Sequence, residues 1–164
     1  MTDELVDIVD DDDRVVATVT RAEMRAGRLQ HRSVGVVVMS GDGRLLVHRR
    51  SEAKDIWPGW WDIAAGGVVA AGETYEAAAR RELVEELGIA GVEFEFLAQS
   101  RFVNDDVAEL CRGYRVVHDG PFTFDDGEIV EVRWVTLAEL DSMRATHRFL
   151  PDSIALLLPL LHPH

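Results

Sequence analysis

The stretch Gly67-Val-Val-Ala-Ala-Gly72-Glu73-Thr74-Tyr75-Glu76-Ala-Ala-Ala79-Arg80-Arg81-Glu82-Leu83-Val84-Glu85-Glu86-Leu87-Gly88-Ile89 decides how the rest of the chain is read. From Tyr75 to Leu87 no residue breaks a helix, and alanine, leucine, arginine and glutamate dominate. Thr74 is placed to cap the start, Glu73 and Glu76 suit the positive end of the helix dipole, and Gly88 fits the stop. Such a helix would be roughly 20 Å long. Ala79, Leu83 and Leu87 recur at i, i+4 and predict a core-facing stripe. Glu82, Glu85 and Glu86 fall at i, i+3 and i+4, so their carboxylates crowd a neighbouring face. Like charges at that spacing repel by a few tenths of a kcal/mol per pair, roughly, and a bound cation would remove that cost. Taken alone, the three glutamates would read as a solvated acidic face. The glycine loop before them changes that reading.

The whole stretch fits Gly-x5-Glu-x7-Arg-Glu-U-x-Glu-Glu-x-Gly-U, with U apolar, at every position. It resembles the Nudix box at Gly67, Glu73, Arg81, Glu82, Leu83, Glu85, Glu86, Gly88 and Ile89. The resemblance implies an α/β fold in which a mixed β-sheet is sandwiched between helices. It also implies hydrolysis of a phosphoanhydride with Mg²⁺, for which Mn²⁺ could substitute. In that family, glutamates matching Glu82, Glu85 and Glu86 bind the metal, helped by a backbone carbonyl at the position of Gly67. Glu73 and Arg81 would hold those carboxylates in place, and Gly88 would end the helix.

The chemistry agrees with such a donor set. Negative oxygens shield a phosphoanhydride from nucleophiles, so catalysis needs a cation, an activated water and a base. Magnesium prefers oxygen ligands, which carboxylates on one helix face provide. No Cys/His cluster suggests zinc.

Composition sets the surroundings. The chain has 164 residues, 47% hydrophobic and 29% charged, as expected of one globular domain spanning 1–164. Acidic residues exceed Lys plus Arg by 30 − 17 = 13, which disfavours nucleic acid and anionic membranes as partners. The small-molecule substrate is then the expected partner, and a homodimer is compatible with the sequence. The longest apolar run, near Ile154 to Leu161, is too short to span a bilayer. No signal peptide is visible, and Cys111 is the only cysteine, so a cytoplasmic location is the default.

Upstream of the box, Leu5–Val9 and Val15–Val19 alternate as two short strands around a turn at Asp10–Asp13. That turn lacks the spacing of an EF-hand loop. Thr20 is placed to cap a short helix that stops at Gly27. Ser33–Met39 and Arg44–Arg50 predict a central hairpin turning at Ser40-Gly-Asp-Gly43. Arg49, Arg50 and Lys54 cluster at the end of that hairpin, either as surface charges or as phosphate contacts. Trp57, Trp60 and Trp61 either wall a pocket or bury a loop, with at least one indole in the core. The run Arg50-x3-Lys54-x2-Trp57-Pro-Gly-x-Trp61-Asp62 is similar to the segment before the box in isopentenyl-diphosphate-isomerase-like Nudix proteins. There the matching arginine and lysine face the diphosphate, which assigns substrate contact to Arg50 and Lys54, beside Arg49 and Trp57. The first 30 residues also look like that branch's N-terminal extension.

Downstream, Val92–Leu97, Glu109–Val117 and Ile129–Val135 predict strands, and short helices follow Thr136 and begin at Pro151. Glu128 matches the post-box acid of the isomerase-like branch, a fourth carboxylate for metal or base, or else a charged strand edge. Glu131, three residues on, falls on the opposite face. The expected function is Mg-dependent cleavage of the diphosphate linkage in a nucleoside diphosphate derivative or related organic pyrophosphate, with Glu82, Glu85, Glu86 and Glu128 catalytic. Isomerisation of isopentenyl diphosphate is the alternative, along with a non-catalytic nucleotide-binding module. The isomerase keeps a cysteine and a histidine where this chain has Gly66 and Val68. No box glutamate is missing, as a non-catalytic module would allow. Residues 100–110 lack the proline or tyrosine that accompanies ADP-ribose and dinucleotide-polyphosphate specificity in some relatives.

Overall fold

A computed structural model describes residues 4–161; the ends of the expected 1–164 domain and the first three residues of the N-terminal extension lie outside it. Two antiparallel strands, β1 (Leu5–Val9) and β2 (Val15–Thr20), lead into α1 (Arg21–Gly27). Thr20 and Glu23 form a reciprocal cap at the start of α1. The helix closes one residue later than expected: Arg28 adopts the left-handed conformation at φ 50, a role usually given to glycine.

The centre of the molecule is β3 (His31–Met39), whose run of valines is buried on both faces. One edge of β3 pairs in parallel with β8 (Ala108–Val117) along its whole length, from His31↔Glu109 to Met39↔Val117. It also pairs antiparallel with β1 at His31, with β6 (Ala65–Val68) from Ser33 to Val36, and with β4 (Leu45–Arg50) at Met39. β4 then turns away to pair with β5 (Trp61–Asp62) and β9 (Ile129–Val135), while β7 (Glu95–Val103) borders β8. Residues 61–68 carry no alternation, so β5 and β6 were not foreseeable from pattern. The strand expected at Val92–Leu97 instead runs Glu95–Val103.

Alternation along β3 divides the core. Val34, Val36 and Val38 face α2 (Tyr75–Leu87), against Ala79, Leu83, Leu87 and Ile89. Val37 faces the opposite layer, built from α3 (Leu137–Arg144), α4 (Pro151–Leu156) and the 3-10 turn Leu158–Leu160. Trp61 belongs to this second layer, and Trp57 is buried in a smaller cluster with Val107 and Leu150. The result is a mixed sheet between helical layers.

On the α4 side, Gly35 and Gly113 lie opposite each other in the β3–β8 register. A Cβ at Gly35 would sit 2.9 Å from Leu157 Cδ1, and one at Gly113 would sit 2.4 Å from Leu157 Cδ2. Leu157 therefore straddles a notch that only two glycines can form. No helix among the described residues is long and apolar enough to cross a membrane.

Candidate active site

Thr74 accepts a hydrogen bond from the Ala77 N–H, and Gly88 closes α2 at φ 69, so both ends of the helix are fixed. Fixed ends set the rotation of α2, and with it the direction of its carboxylates. Glu82 is mostly buried and Glu85 about half exposed, whereas Glu86 is only 5% exposed and lies beneath β6. There Glu86 Oε2 accepts the Gly66 N–H at 2.9 Å. Beside it, a Cβ at Gly67 would meet Glu82 Oε1 at 2.8 Å, so glycine lets this backbone approach the carboxylate closely.

Arg81 organises the other side. Its guanidinium donates Nε to Glu73 Oε2 at 2.8 Å and Nη2 to Glu73 Oε1 at 3.0 Å, a two-pronged clasp. Nη1 reaches Glu82 at 2.9 Å and Glu85 at 3.2 Å. Glu73 is itself held by the Ala70 N–H. Across the cleft, Lys54 pairs with Glu128, whose backbone carbonyl accepts the Ser51 N–H.

Gly66, Gly67, Arg81, Glu82, Glu85, Lys54 and Glu128 line one open cleft of about 360 Å³. Arg21 and Asp126 join them there; neither stands out in the sequence, because both lie far from the box. Arg50 and Trp57 line an adjoining inner cavity rather than the cleft. Arg49 is directed elsewhere: alternation along β4 turns it away from Arg50, and it pairs with Glu131 of β9 at 3.5 Å. Its expected substrate contact has no geometric support, because the guanidinium borders neither cavity. Glu131 also pairs with Arg133, which leaves it in a charged ladder on the sheet surface.

Electrostatics show how crowded the carboxylates are. Burial, reinforced by Glu85, pushes Glu82 up to about 7 against the opposing pull of Arg81. Burial and then the neighbouring Glu82 push Glu86 well above the usual carboxylate range. Among the described residues, no group of three or more His, Cys, Asp or Glu side chains already converges on a metal position. Arg81 pairs with Glu82 and Glu85, and Lys54 with Glu128. The donor chemistry nevertheless fits a hard divalent cation: it is all oxygen, and its ionised form calls for added positive charge.

Cys111 lies on β8, buried, and burial pushes its thiol up beyond the reactive range.

Comparison with known proteins follows the same lines. The model of the NUDIX domain matches residues 29–156. The uncharacterized Nudix hydrolase YfcD of Escherichia coli strain K12 is 42% identical over 151 residues, covering 92% of this chain and 83% of that protein. An uncharacterized Nudix hydrolase of Yersinia pestis is 45% identical over 155 residues, covering 92% of this chain and 82% of its own. Among solved structures, DR0079 from Deinococcus radiodurans superposes with a TM-score of 0.83 at 28% identity, covering 97% of this chain and all of its own. The NUDIX domain of Shewanella oneidensis NrtR, complexed with ADP ribose, shares the fold at a TM-score of 0.64 and 18% identity, covering 85% of this chain and 96% of its own.

Proposed function

The chain belongs to the NUDIX hydrolase family, and from that premise we propose that it is a magnesium-dependent pyrophosphohydrolase acting on a nucleoside diphosphate derivative or related organic pyrophosphate. The observation that carries this reading is the gathering of Gly67, Glu82, Glu85, Lys54 and Glu128 around one cleft, with Glu86 directly beneath. Glu82, Glu85, Glu86, Glu128 and the Gly67 carbonyl would hold the metal. Magnesium bound there would offset phosphate charge and make a water more acidic.

The protein's own groups do the rest. Lys54 presents a cation to the diphosphate, and Arg50 lines the adjoining inner cavity. These positive groups matter because the whole chain carries a net charge of −13, a field that repels a polyanion until it reaches the cleft. Arg81, tied to Glu73, holds Glu82 and Glu85 facing the cleft. A carboxylate of the same set accepts the proton of the attacking water. The segment from Arg50 to Asp62 supports a place beside the isomerase-like branch, without its chemistry. At Gly66 even a Cβ would lie 2.0 Å from the Val34 carbonyl oxygen, so a side chain carrying a thiol has no room there. We also read the whole chain as one unit, residues 1–30 included.

The test is a hydrolysis screen, read by chromatographic separation of the products, over nucleotide sugars, dinucleotides, nucleoside triphosphates and prenyl diphosphates with Mg²⁺. Turnover of at least one diphosphate that stops on chelation and returns with Mg²⁺ or Mn²⁺ is expected. No turnover of any of them in magnesium would refute the reading.

A further inference from the structure

Parallel strands buried on both faces ordinarily carry apolar side chains throughout. β3 and β8 depart from that rule, and their fully buried polar side chains gather at one end. On the α4 side their register places His31 opposite Glu109 and Ser33 opposite Cys111 before reaching the glycine notch under Leu157. His31, Ser33 and Glu109 are 1%, 7% and 5% exposed. Among the described residues, the buried side-chain polar atoms without a hydrogen-bond partner are His31 Nε2, Ser33 Oγ, Glu109 Oε1 and Arg50 Nε. All four belong to residues lining one inner cavity of about 80 Å³. Unpartnered buried polar atoms are rare, and their convergence on one space marks it as built to be filled by something polar.

The cavity adjoins the catalytic cleft. Gly66, Gly67, Lys54 and Arg21 border both spaces, so a substrate whose diphosphate lies in the cleft can extend a substituent inward past Lys54. We propose that this chamber is the subsite for a hydroxyl-bearing substituent of the substrate, a sugar or polyol esterified to the diphosphate, recognised by His31, Ser33, Glu109 and Arg50. This assignment rests on the hydrolase reading above.

The donor and acceptor pattern selects that class. His31 Nδ1 lies 2.9 Å from the Leu29 carbonyl, which requires the proton on Nδ1 and leaves Nε2 as an acceptor. Burial keeps this imidazole neutral, lowering it to about 4. Arg50 Nε can only donate, Ser33 Oγ can do both, and Glu109 offers a carboxyl oxygen. Arg21, Arg25, Arg50 and Lys54 also line the chamber, but a second phosphate brings acceptors alone and would face the His31 lone pair and the carboxyl groups of Asp62, Glu109 and Asp152. An alkyl or prenyl chain would leave all four atoms unpaired. A hydroxyl both donates and accepts, so several on one carbon framework can satisfy the whole set. The volume admits several water-sized groups, enough for such a substituent to displace the waters that would otherwise occupy it.

The test compares a nucleoside 5′-diphosphate sugar with the matching nucleoside 5′-diphosphate n-hexyl ester, which carries the same charge. Wild type is expected to favour the sugar ester at least tenfold in kcat/KM. Ser33→Ala and Glu109→Gln should each raise KM for the sugar ester at least fivefold, leaving its kcat within twofold and the hexyl-ester KM unchanged or lower. Melting curves check the folding of both variants, and the comparison is made with each variant that melts as wild type does. Equal handling of both esters by wild type, or variants that shift both esters alike or neither, would show a chamber filled only by water and overturn the assignment. If wild type hydrolyses neither ester, the screen above still decides the hydrolase reading, and calorimetric titration with both esters in Mg²⁺ decides the chamber. Tenfold tighter binding of the sugar ester, lost in Ser33→Ala, would support it; equal or absent binding would overturn it.

Discussion

Arg81→Met replaces the guanidinium that ties Glu73, Glu82 and Glu85 together with an uncharged chain of similar reach. The side chains of Glu73 and Glu82 are 16% and 14% exposed, so their carboxylates lose a counterion that water only partly replaces. Hydrogen bonds to charged groups contribute about 1.5–3 kcal/mol each. The clasp on Glu73 has two, but Arg81 is 32% exposed and solvent screens part of the pairing. The expected loss is therefore about 2–4 kcal/mol, read as a lower urea midpoint with unchanged slope. A double-mutant cycle with Glu73→Gln should return most of it as coupling, at roughly 2 kcal/mol. Arg81→Lys keeps the charge but not the fork, and should recover less than half. Because Glu82 and Glu85 lose their orientation, kcat/KM should also fall about 10–100-fold. Additive single variants, with coupling below about 0.5 kcal/mol, would refute the argument that Arg81 acts through Glu73.

Glu85→Gln and Glu86→Gln should each abolish hydrolysis while the circular dichroism spectrum stays native; wild-type-like turnover by either at limiting Mg²⁺ would count against the metal assignment. Lys54→Ala should raise KM for the preferred diphosphate about tenfold or more if the ammonium contacts it, and unchanged kcat/KM would reduce Lys54 to a counterion for Glu128. Asp62 is raised from 3.8 to about 7, by burial first and then by Asp152. A raised carboxyl contributes stability that is fully present below the unfolded value and is lost as pH climbs through the folded one. Asp62→Asn keeps an oxygen for the Ala64 N–H and should gain stability over wild type between pH 4 and 7, by up to about 4 kcal/mol; pH-independent differences in urea midpoint would contradict this.

The sequence made α2 legible because cap, stripe and stop are all local: Thr74, then Ala79-Leu83-Leu87, then Gly88. The layered sheet was legible from the alternation of strands and helices along the chain, which implies a sheet covered on both faces. What helix spacing could not supply was depth. It grouped Glu82 with Glu86, yet only the laying of β6 over the helix makes Glu86 a buried acceptor for Gly66. Arg49 and Arg50 pose the same problem on a strand: alternation separates them, but which one faces inward depends on β9 and Glu131, distant in sequence. The inner chamber was the least legible feature. Its polar atoms come together through the parallel register of β3 and β8, and nothing within one strand reports the register of another.

The glycine pair beneath Leu157 gives α4 the part of a shim. Leu157 fits the notch with one methyl over each glycine, and that fit fixes how near α4 stands to the sheet. Asp152 and Ser153 ride on the same short helix and form part of the chamber wall. A methyl group added at Gly113 would push Leu157 outward and lift that wall without touching any bound molecule. The width of the chamber is thus calibrated in part by a glycine behind its lining, Gly113, and a change at that one position would retune it.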